Sequence, residues 1–161
     1  MSTSLRKASS ADILQIATLA EKIWRAHYTP IIGEKQVDYM LAKMYSAESL
    51  LEQQQNGQQF FLAQLNGRPI GYVSVSANEN EFFLHKFYLD MKEQGKGYGK
   101  LFFAELLSNF PELKTMRLQV NRMNFKTINF YFRLGFTIEE AKDFDIGNGF
   151  FMEDFVMLLK K

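Results

Sequence analysis

The sequence contains no cysteine. That absence excludes disulfides, thiolate zinc sites and a cysteine nucleophile together. Histidine is nearly as scarce: His27 and His85 are the only two. Two are too few for a typical catalytic zinc site built on histidines, and no metal site is expected. A charge imbalance is also missing. Nineteen basic residues against 18 acidic ones give no global attraction to nucleic acid or to an anionic membrane, so any anion site must be local. No run approaches the roughly 20 apolar residues of a transmembrane helix. The N-terminal stretch through Tyr28 is broken by Asp12, Glu21, Lys22 and Arg25 and does not read as a signal peptide, so the expected location is the cytoplasm.

Within those limits, 161 residues of which 47% are hydrophobic suit one folded domain over 1–161 with a well-filled interior. "SLRKAS" (4–9) reads as a first strand, and Ser9 to Asp12 resembles a capping box before a helix. Ile13, Ile16, Ala17, Ala20, Ile23, Trp24 and His27 recur at helical spacing. Pro30 and Gly33 are expected to break that helix before a second one carrying Val37, Met40, Leu41, Met44 and Tyr45. "SAESLLEQQQ" makes a short third helix. "QFFLAQL" and "PIGYVSVSA" flank Asn66-Gly67, the signal of a tight hairpin, and "EFFLHKFYL" is a third strand. A helix follows from Tyr98 to Pro111, then the strand "KTMRLQV" and a helix that Asn124 can cap and Gly135 can end. The tail "FTIEEAKDFDIGNGFFMEDFVMLLK" reads as two strands around Gly-Asn-Gly, although "EEAKDF" alone also suits a helix. Leaving the short third helix aside, the order is β-α-α-β-β-β-α-β-α-β-β. It predicts an α/β (α+β) fold with a mixed sheet and helices on both faces.

The chemistry centres on Gly95-Lys96-Gly97-Tyr98-Gly99-Lys100. A Walker A loop would need a glycine where Gln94 stands and a hydroxyl where Leu101 stands. A dinucleotide fingerprint would have G-x-G-x-x-G early in the chain. Neither fits. What remains is physical: glycines let successive N–H groups turn toward one point, and a helix starting near Tyr98 adds its unpaired N–H groups and positive dipole end. Lys92, Lys96 and Lys100 add charge. A plain glycine turn solvated by lysines is the competing reading.

The stretch "QGKGYG" (94–99) matches the Q/R-x-x-G-x-G/A acyl-CoA signature of the GNAT family of N-acetyltransferases. "NFKTINFYFRLGF" (124–136) resembles the family's later pattern N-x-x-A-x-x-F-Y-x-x-x-G-F, with Thr127 in place of the small residue. "IW…Y" and "DYMLAKMYS" near the N-terminus are similar to a bacterial subgroup that includes polyamine acetyltransferases. The resemblance implies a GNAT fold with a mixed, mostly antiparallel central sheet, acetyl-CoA as cofactor and direct acetyl transfer to a primary amine of a small molecule, polyamines among the possibilities. Protein or peptide acetylation, or an acyl-CoA-binding sensor without chemistry, are the alternatives. It further implies that Gln94, Gly95, Lys96, Gly97, Tyr98, Gly99 and Lys100 cradle the pyrophosphate and that Phe87, Tyr88 and Leu89 lie along the pantetheine arm. Asn124 would sit near the cofactor and Arg133 within reach of a phosphate.

Tyr131, the tyrosine of the F-Y pair, would protonate the departing thiolate; a phenol with a pKa of about 10 is a workable donor to a thiolate. The position where some relatives carry a basic glutamate is Phe83. His85, on the same side of the strand by alternation, is the base candidate, with Glu81 and the pair Glu153-Asp154 as others. Trp24, His27 and Tyr28, with Asp38 and Tyr39 opposite, would line an acceptor pocket suited to a cation. The apolar "FFMEDFVMLL" could serve as a dimer edge or as a core strand.

Overall fold

The structure is a computed structural model and describes residues 2–161. Strand β1 (Thr3–Lys7) leads through a 3-10 turn into helices α1 (Ile13–Ile32), α2 (Glu34–Met44) and α3 (Ala47–Gln55). Strands β2 (Gln59–Leu65), β3 (Arg68–Asn78) and β4 (Glu81–Leu89) follow, then α4 (Tyr98–Asn109), β5 (Thr115–Asn121), α5 (Phe125–Leu134), β6 (Thr137–Gly147) and β7 (Phe150–Lys160). The seven strands hydrogen-bond in the order β1-β2-β3-β4-β5-β7-β6. Only β4 and β5 are recorded as a parallel pair; β1-β2, β2-β3, β5-β7 and β6-β7 are antiparallel. The expected mixed, mostly antiparallel sheet is therefore present. Among the described residues no helix is long and apolar enough to cross a membrane.

By internal contacts the chain forms two compact units, one holding the chain up to Ser76 with Lys86–Pro111, the other Ala77–His85 with Glu112–Lys161. In the first unit, alternation along β2 and β3 serves two helical layers. Phe61 faces α4, its ring 6.1 Å from that of Phe110 just past the helix, and the Leu5 N–H donates to Glu105 of α4. The opposite face carries Phe60, Leu62, Tyr72 and Ser74, all fully buried, toward α1–α3. The hairpin is built as its sequence demands: Asn66 and Gly67 both have positive φ, 52° and 79°, the type I′ pattern that matches strand twist.

In the second unit, Met116, Leu118 and Val120 of β5 are buried with Met157 of β7 on the face that α5 covers. Leu159 marks that contact, because a Cβ on Gly135, which ends α5 at φ 103°, would lie 3.3 Å from its Cδ1. The other face presents Arg117, Gln119 and Asn121 opposite Leu158, Val156 and Asp154.

Several local readings need correction. Pro30 does not end α1, which runs on to Ile32; a proline one turn from the end removes a single N–H donor, and Gly33 supplies the actual stop by donating to the Thr29 carbonyl. The buried stripe of α1 ends on Tyr28 rather than on His27, which is half-buried. For "EEAKDF" the strand reading holds over the helical one: it lies in β6, an outermost strand whose exposed charges, Glu139, Glu140, Lys142 and Asp143, guard an open edge. Strand β7 pairs on both sides, so of the two readings of its apolar sequence the core strand holds and the dimer edge does not.

Gly71 in β3 permits the closest backbone approach in the first unit. A Cβ there would sit 2.2 Å from the Tyr88 carbonyl oxygen and 2.6 Å from the Leu89 Cδ2, distances no side chain tolerates. Gly71→Ala is expected to cost about 3 kcal/mol by forced overpacking. Chemical denaturation of the purified variant should show the loss as a lower midpoint at unchanged slope.

Candidate active site

The glycine loop grows out of the end of β4 by a chain of caps. The Asp90 N–H donates to the Ile70 carbonyl (2.7 Å) and its carboxylate accepts from the Lys92 N–H (3.1 Å), opening a 3-10 turn over Met91–Glu93. Gln94 then donates from Nε2 to the Leu89 carbonyl at 3.0 Å. The first residue of the signature thus holds the loop against its own strand. Gly95 (φ 77°) and Gly97 (φ 85°) take the left-handed region, and α4 begins at Tyr98. Among the described residues, the N–H groups of Gly95, Lys96, Gly97, Gly99 and Lys100 have no hydrogen-bond acceptor; only Leu101 closes back, at 3.4 Å onto Gly97. A Cβ at Gly95 or Gly97 would meet nothing within 4 Å, so the space beside these donors is open. Open donors at a helix start, with no side chain over them, fit a phosphate or pyrophosphate.

The lysines contribute less than their number suggests. Lys96 Nζ lies 3.4 Å from Glu93, whose other oxygen takes Arg68 at 3.2 Å. The Arg68 contact first, then Lys96, holds the Glu93 carboxyl below its ordinary range. Lys100 is exposed.

Beside the loop, Tyr88 joins a packed group of rings. Trp24 stacks at 4.4 Å on Tyr28 and lies 5.2 Å from Tyr45 and 5.8 Å from Tyr88; Tyr72 is 5.5 Å from Tyr88. Their polar tips meet: Trp24 Nε1 donates to the Tyr45 hydroxyl at 3.2 Å, and the Tyr28 and Tyr88 hydroxyls are 3.2 Å apart. The Tyr72 hydroxyl is buried without a partner, and burial raises the Tyr45 and Tyr72 phenols well above 10. Of the expected acceptor-pocket residues, Trp24 and Tyr28 are in this group and His27 touches it edge-on to Tyr28 at 4.8 Å. Asp38 is not brought in: its carboxylate takes Arg25 at 2.7 Å. Phe87 points to the other face, 6.1 Å from Phe103 of α4.

Lys86, which drew no attention in the sequence, is 8% exposed. Its Nζ donates to Gln53 Oε1 (2.6 Å) and Gln58 Oε1 (3.1 Å) and lies over the rings of Tyr45 and Phe60. Both amides are locked oxygen-inward, Gln53 by donating to the Met44 carbonyl and Ser49 Oγ, Gln58 by accepting from Ser74. Oxygens and ring faces favour the ammonium, yet burial dominates and brings its pKa down to about 7.

In the second unit, β4 pairs with β5 from Glu81↔Thr115 to Leu84↔Leu118, while β4 continues to Leu89 and β5 to Asn121. His85, first past the ladder, is exposed, its ring 4.8 Å from Phe83. Asn124 is buried, but its side chain does not cap α5 and its Nδ2 has no partner, so the reading of Asn124 as a plain helix cap fails. Tyr131 is 6% exposed, packed 5.4 Å from Phe136 and 5.5 Å from Phe130. Arg133 is exposed. Asp154 is 5% exposed; burial first of all pushes its carboxyl up to about 6, with Asp143 adding and Arg122 opposing.

Residues 18–136 match the family model described as the Acetyltransferase (GNAT) family. This chain belongs to the GNAT acetyltransferase family. A spermidine N(1)-acetyltransferase of Thermoplasma acidophilum is 29% identical over 160 residues, 95% of this chain and 97% of that one. The crystal structure of the PaiA N-acetyltransferase from the same organism in complex with coenzyme A superposes with a TM-score of 0.79 at 28% identity over all of both chains. A GCN5-related N-acetyltransferase from Rhodopseudomonas palustris reaches 0.81 over all of this chain and 97% of that one, at 15% identity, a likeness of fold. The GNAT protein is thus an acyltransferase that uses acetyl-CoA and acetylates an amine.

The buried lysine has a stability consequence. Its folded pKa lies below the ordinary 10.5, so between about pH 7 and 10 the unfolded chain binds more protons and stability rises with pH. Lys86→Met should remove that rise, which is worth as much as about 4 kcal/mol. Urea melts of both proteins at pH 7 and pH 9.5 measure it.

Proposed function

We propose that the chain acts as one acetyltransferase domain that moves acetyl from acetyl-CoA to a primary amine of a small molecule, polyamines being the favoured class. The observation that carries the cofactor half is the open row of main-chain N–H groups on Gly95, Lys96, Gly97, Gly99 and Lys100. These groups, with Tyr98 opening the helix, bind the pyrophosphate, and Gln94 positions them. Main-chain groups of Phe87, Tyr88 and Leu89 run along the pantetheine arm, with the Leu89 carbonyl shared with Gln94. The orphaned Asn124 amide takes a cofactor or acyl oxygen. Arg133 and Lys100, both exposed, contribute at most long-range charge.

The acceptor half rests on two supports. A relative 29% identical over nearly its whole length is a spermidine N(1)-acetyltransferase. The rings of Trp24, Tyr28 and Tyr88, with His27 at the margin, offer π faces and phenol oxygens rather than fixed charge, which suits an ammonium.

Acetyl-CoA supplies a thioester carbonyl for attack and a thiolate as leaving group. The chain's own task is to orient the amine and manage protons. Tyr131 donates to the thiolate: it is buried and its phenol is a weak enough acid to stay protonated until needed. Transfer is direct, as in the family the sequence resembles, and the absence of cysteine agrees with that.

Thiol release is measured with spermidine, putrescine and a lysine-containing peptide, alongside calorimetry with acetyl-CoA. Turnover on a polyamine is the expected result; acetyl-CoA binding without turnover on any amine would sink the enzyme reading. Tyr131→Phe should lower kcat about 100-fold with acetyl-CoA affinity within threefold of the parent. Undiminished kcat removes Tyr131 as the acid.

A further inference from the structure

A buried lysine ordinarily has an acidic partner. Lys86 has none: among the described residues its Nζ meets two amide oxygens and two ring faces, and no carboxylate. Two acceptors are the number that a neutral amine, with its two N–H bonds, can satisfy. The third N–H of an ammonium is left to the rings of Tyr45 and Phe60. The surroundings therefore accept this side chain with or without its charge, and burial disfavours the charge.

That charge lies against the rings given above as the acceptor site. Nζ is 5.6 Å from the centre of the Tyr45 ring. The Tyr45 ring is 5.2 Å from that of Trp24, and its hydroxyl accepts from Trp24 Nε1 at 3.2 Å. Trp24 in turn stacks on Tyr28 and lies 5.8 Å from Tyr88. Lys86 and Tyr88 meet the same side of the sheet, Lys86 through Phe60 and Tyr88 through Tyr72. All of these residues belong to the first unit. A single ring, Tyr45, thus stands between the lysine nitrogen and Trp24.

Nothing charged offsets the ammonium locally. From α3 it faces Gln53, from the residue ahead of β2 Gln58, from β2 Phe60 and, through Gln58, Ser74 of β3. The titratable groups on this side are the Tyr45 phenol and, 5.8 Å behind that ring, the Tyr72 phenol. Burial raises both well above 10, so neither is an anion near neutrality.

We propose that Lys86 sets the acceptor site's affinity for a cation: its ammonium opposes an ammonium held on the Trp24, Tyr28 and Tyr88 rings and gives up its proton when one binds. The inference rests on the acceptor reading above and adds the residue that tunes it. The amine arrives charged, the Lys86 ammonium passes one proton to solvent, and the neutral amine left behind keeps its hydrogen bonds to Gln53 and Gln58. Burial already brings Lys86 to about 7. Like charges about 10 Å apart across buried side chains disfavour each other roughly tenfold. A bound cation therefore shifts Lys86 further toward its neutral form. Acceptor affinity is weakest in acid and rises as Lys86 loses its charge, toward the range in which the acceptor more readily releases its own proton.

Spermidine binding to the CoA-loaded protein, followed calorimetrically from pH 5.5 to 8 in buffers of different ionisation enthalpy, tests this. Wild-type affinity should rise about fivefold to tenfold over that range, with about half a proton released per site near pH 6.5. His27 stands at the margin of the rings, and an imidazole changes charge in the same range, so substitutions make the assignment. Lys86→Met should lose that half proton and bind at pH 5.5 within twofold of wild type at pH 8. His27→Gln, with Lys86 in place, should retain the release, and it covers failure of Lys86→Met to fold. Acetyl-CoA affinity should stay within threefold in both variants.

Proton release that persists in Lys86→Met, or that disappears in His27→Gln, overturns the assignment. Wild-type spermidine affinity that does not change with pH does so as well. A wild type that neither binds nor acetylates spermidine or putrescine overturns the acceptor reading and this assignment with it. Binding and turnover without the proton linkage overturn this assignment alone.

Discussion

The open N–H groups of Gly95, Lys96, Gly97, Gly99 and Lys100 are the constraint around which the site is arranged. A helix cannot satisfy its own first donors, and here two glycines in the left-handed region, Gly95 and Gly97, extend that row backward into the loop. No side chain could be added without strain of about 1–2 kcal/mol at each position. The surrounding residues stabilise this otherwise costly backbone. Asp90 and Gln94 fasten the loop to the end of β4, and Gly71 lets β3 approach the Tyr88 carbonyl so that β4 lies where the loop needs it. Glu93 holds Lys96 and Arg68 as counter-ions. Binding in such a site comes mainly from oriented main-chain dipoles, with charge as an addition.

A second theme is how many polar groups are buried on unfavourable terms. Lys86 has amide oxygens and rings but no carboxylate; Tyr72, Thr115 and Asn124 each carry a buried atom without a hydrogen-bond partner. Cores ordinarily avoid this. Tyr72 and Lys86 fall within the aromatic group or against it, and Asn124 follows the end of β5. Orphaned groups at those two places are what an enzyme needs if its amine and acyl group are to find partners the free protein cannot supply. For Lys86 the effect is on folding: its depressed pKa makes the protein less stable at neutral pH than at pH 9.

Much of this was legible in the amino-acid order. Asn66-Gly67 announced its hairpin, and the spacing of Val37, Met40 and Leu41 marked the buried stripe of α2. The glycine loop and the Phe130-Tyr131 pair named the family before any geometry. What stayed hidden depends on three-dimensional neighbours. Pro30 reads as a stop, yet near a helix end its missing donor matters little. "EEAKDF" has helical propensity, and only pairing with β7 makes it strand. Asn124 looks like a cap until its side chain is seen not to close on the helix, and the bond from the Gln94 amide to Leu89 was not visible in the order of residues. Lys86 alternates with apolar residues as a surface lysine on a strand would; its burial depends on Gln53 and Gln58, more than 25 residues away in sequence.

The central claim is that main chain, rather than lysine charge, holds the pyrophosphate of coenzyme A. Calorimetric affinities for coenzyme A of the wild type, Gly97→Ala, Lys96→Ala and Lys100→Ala test it most directly. A side chain at Gly97, where φ is 85°, should weaken binding at least tenfold, while each lysine variant stays within about threefold. Lysine variants that lose more affinity than Gly97→Ala would contradict the account.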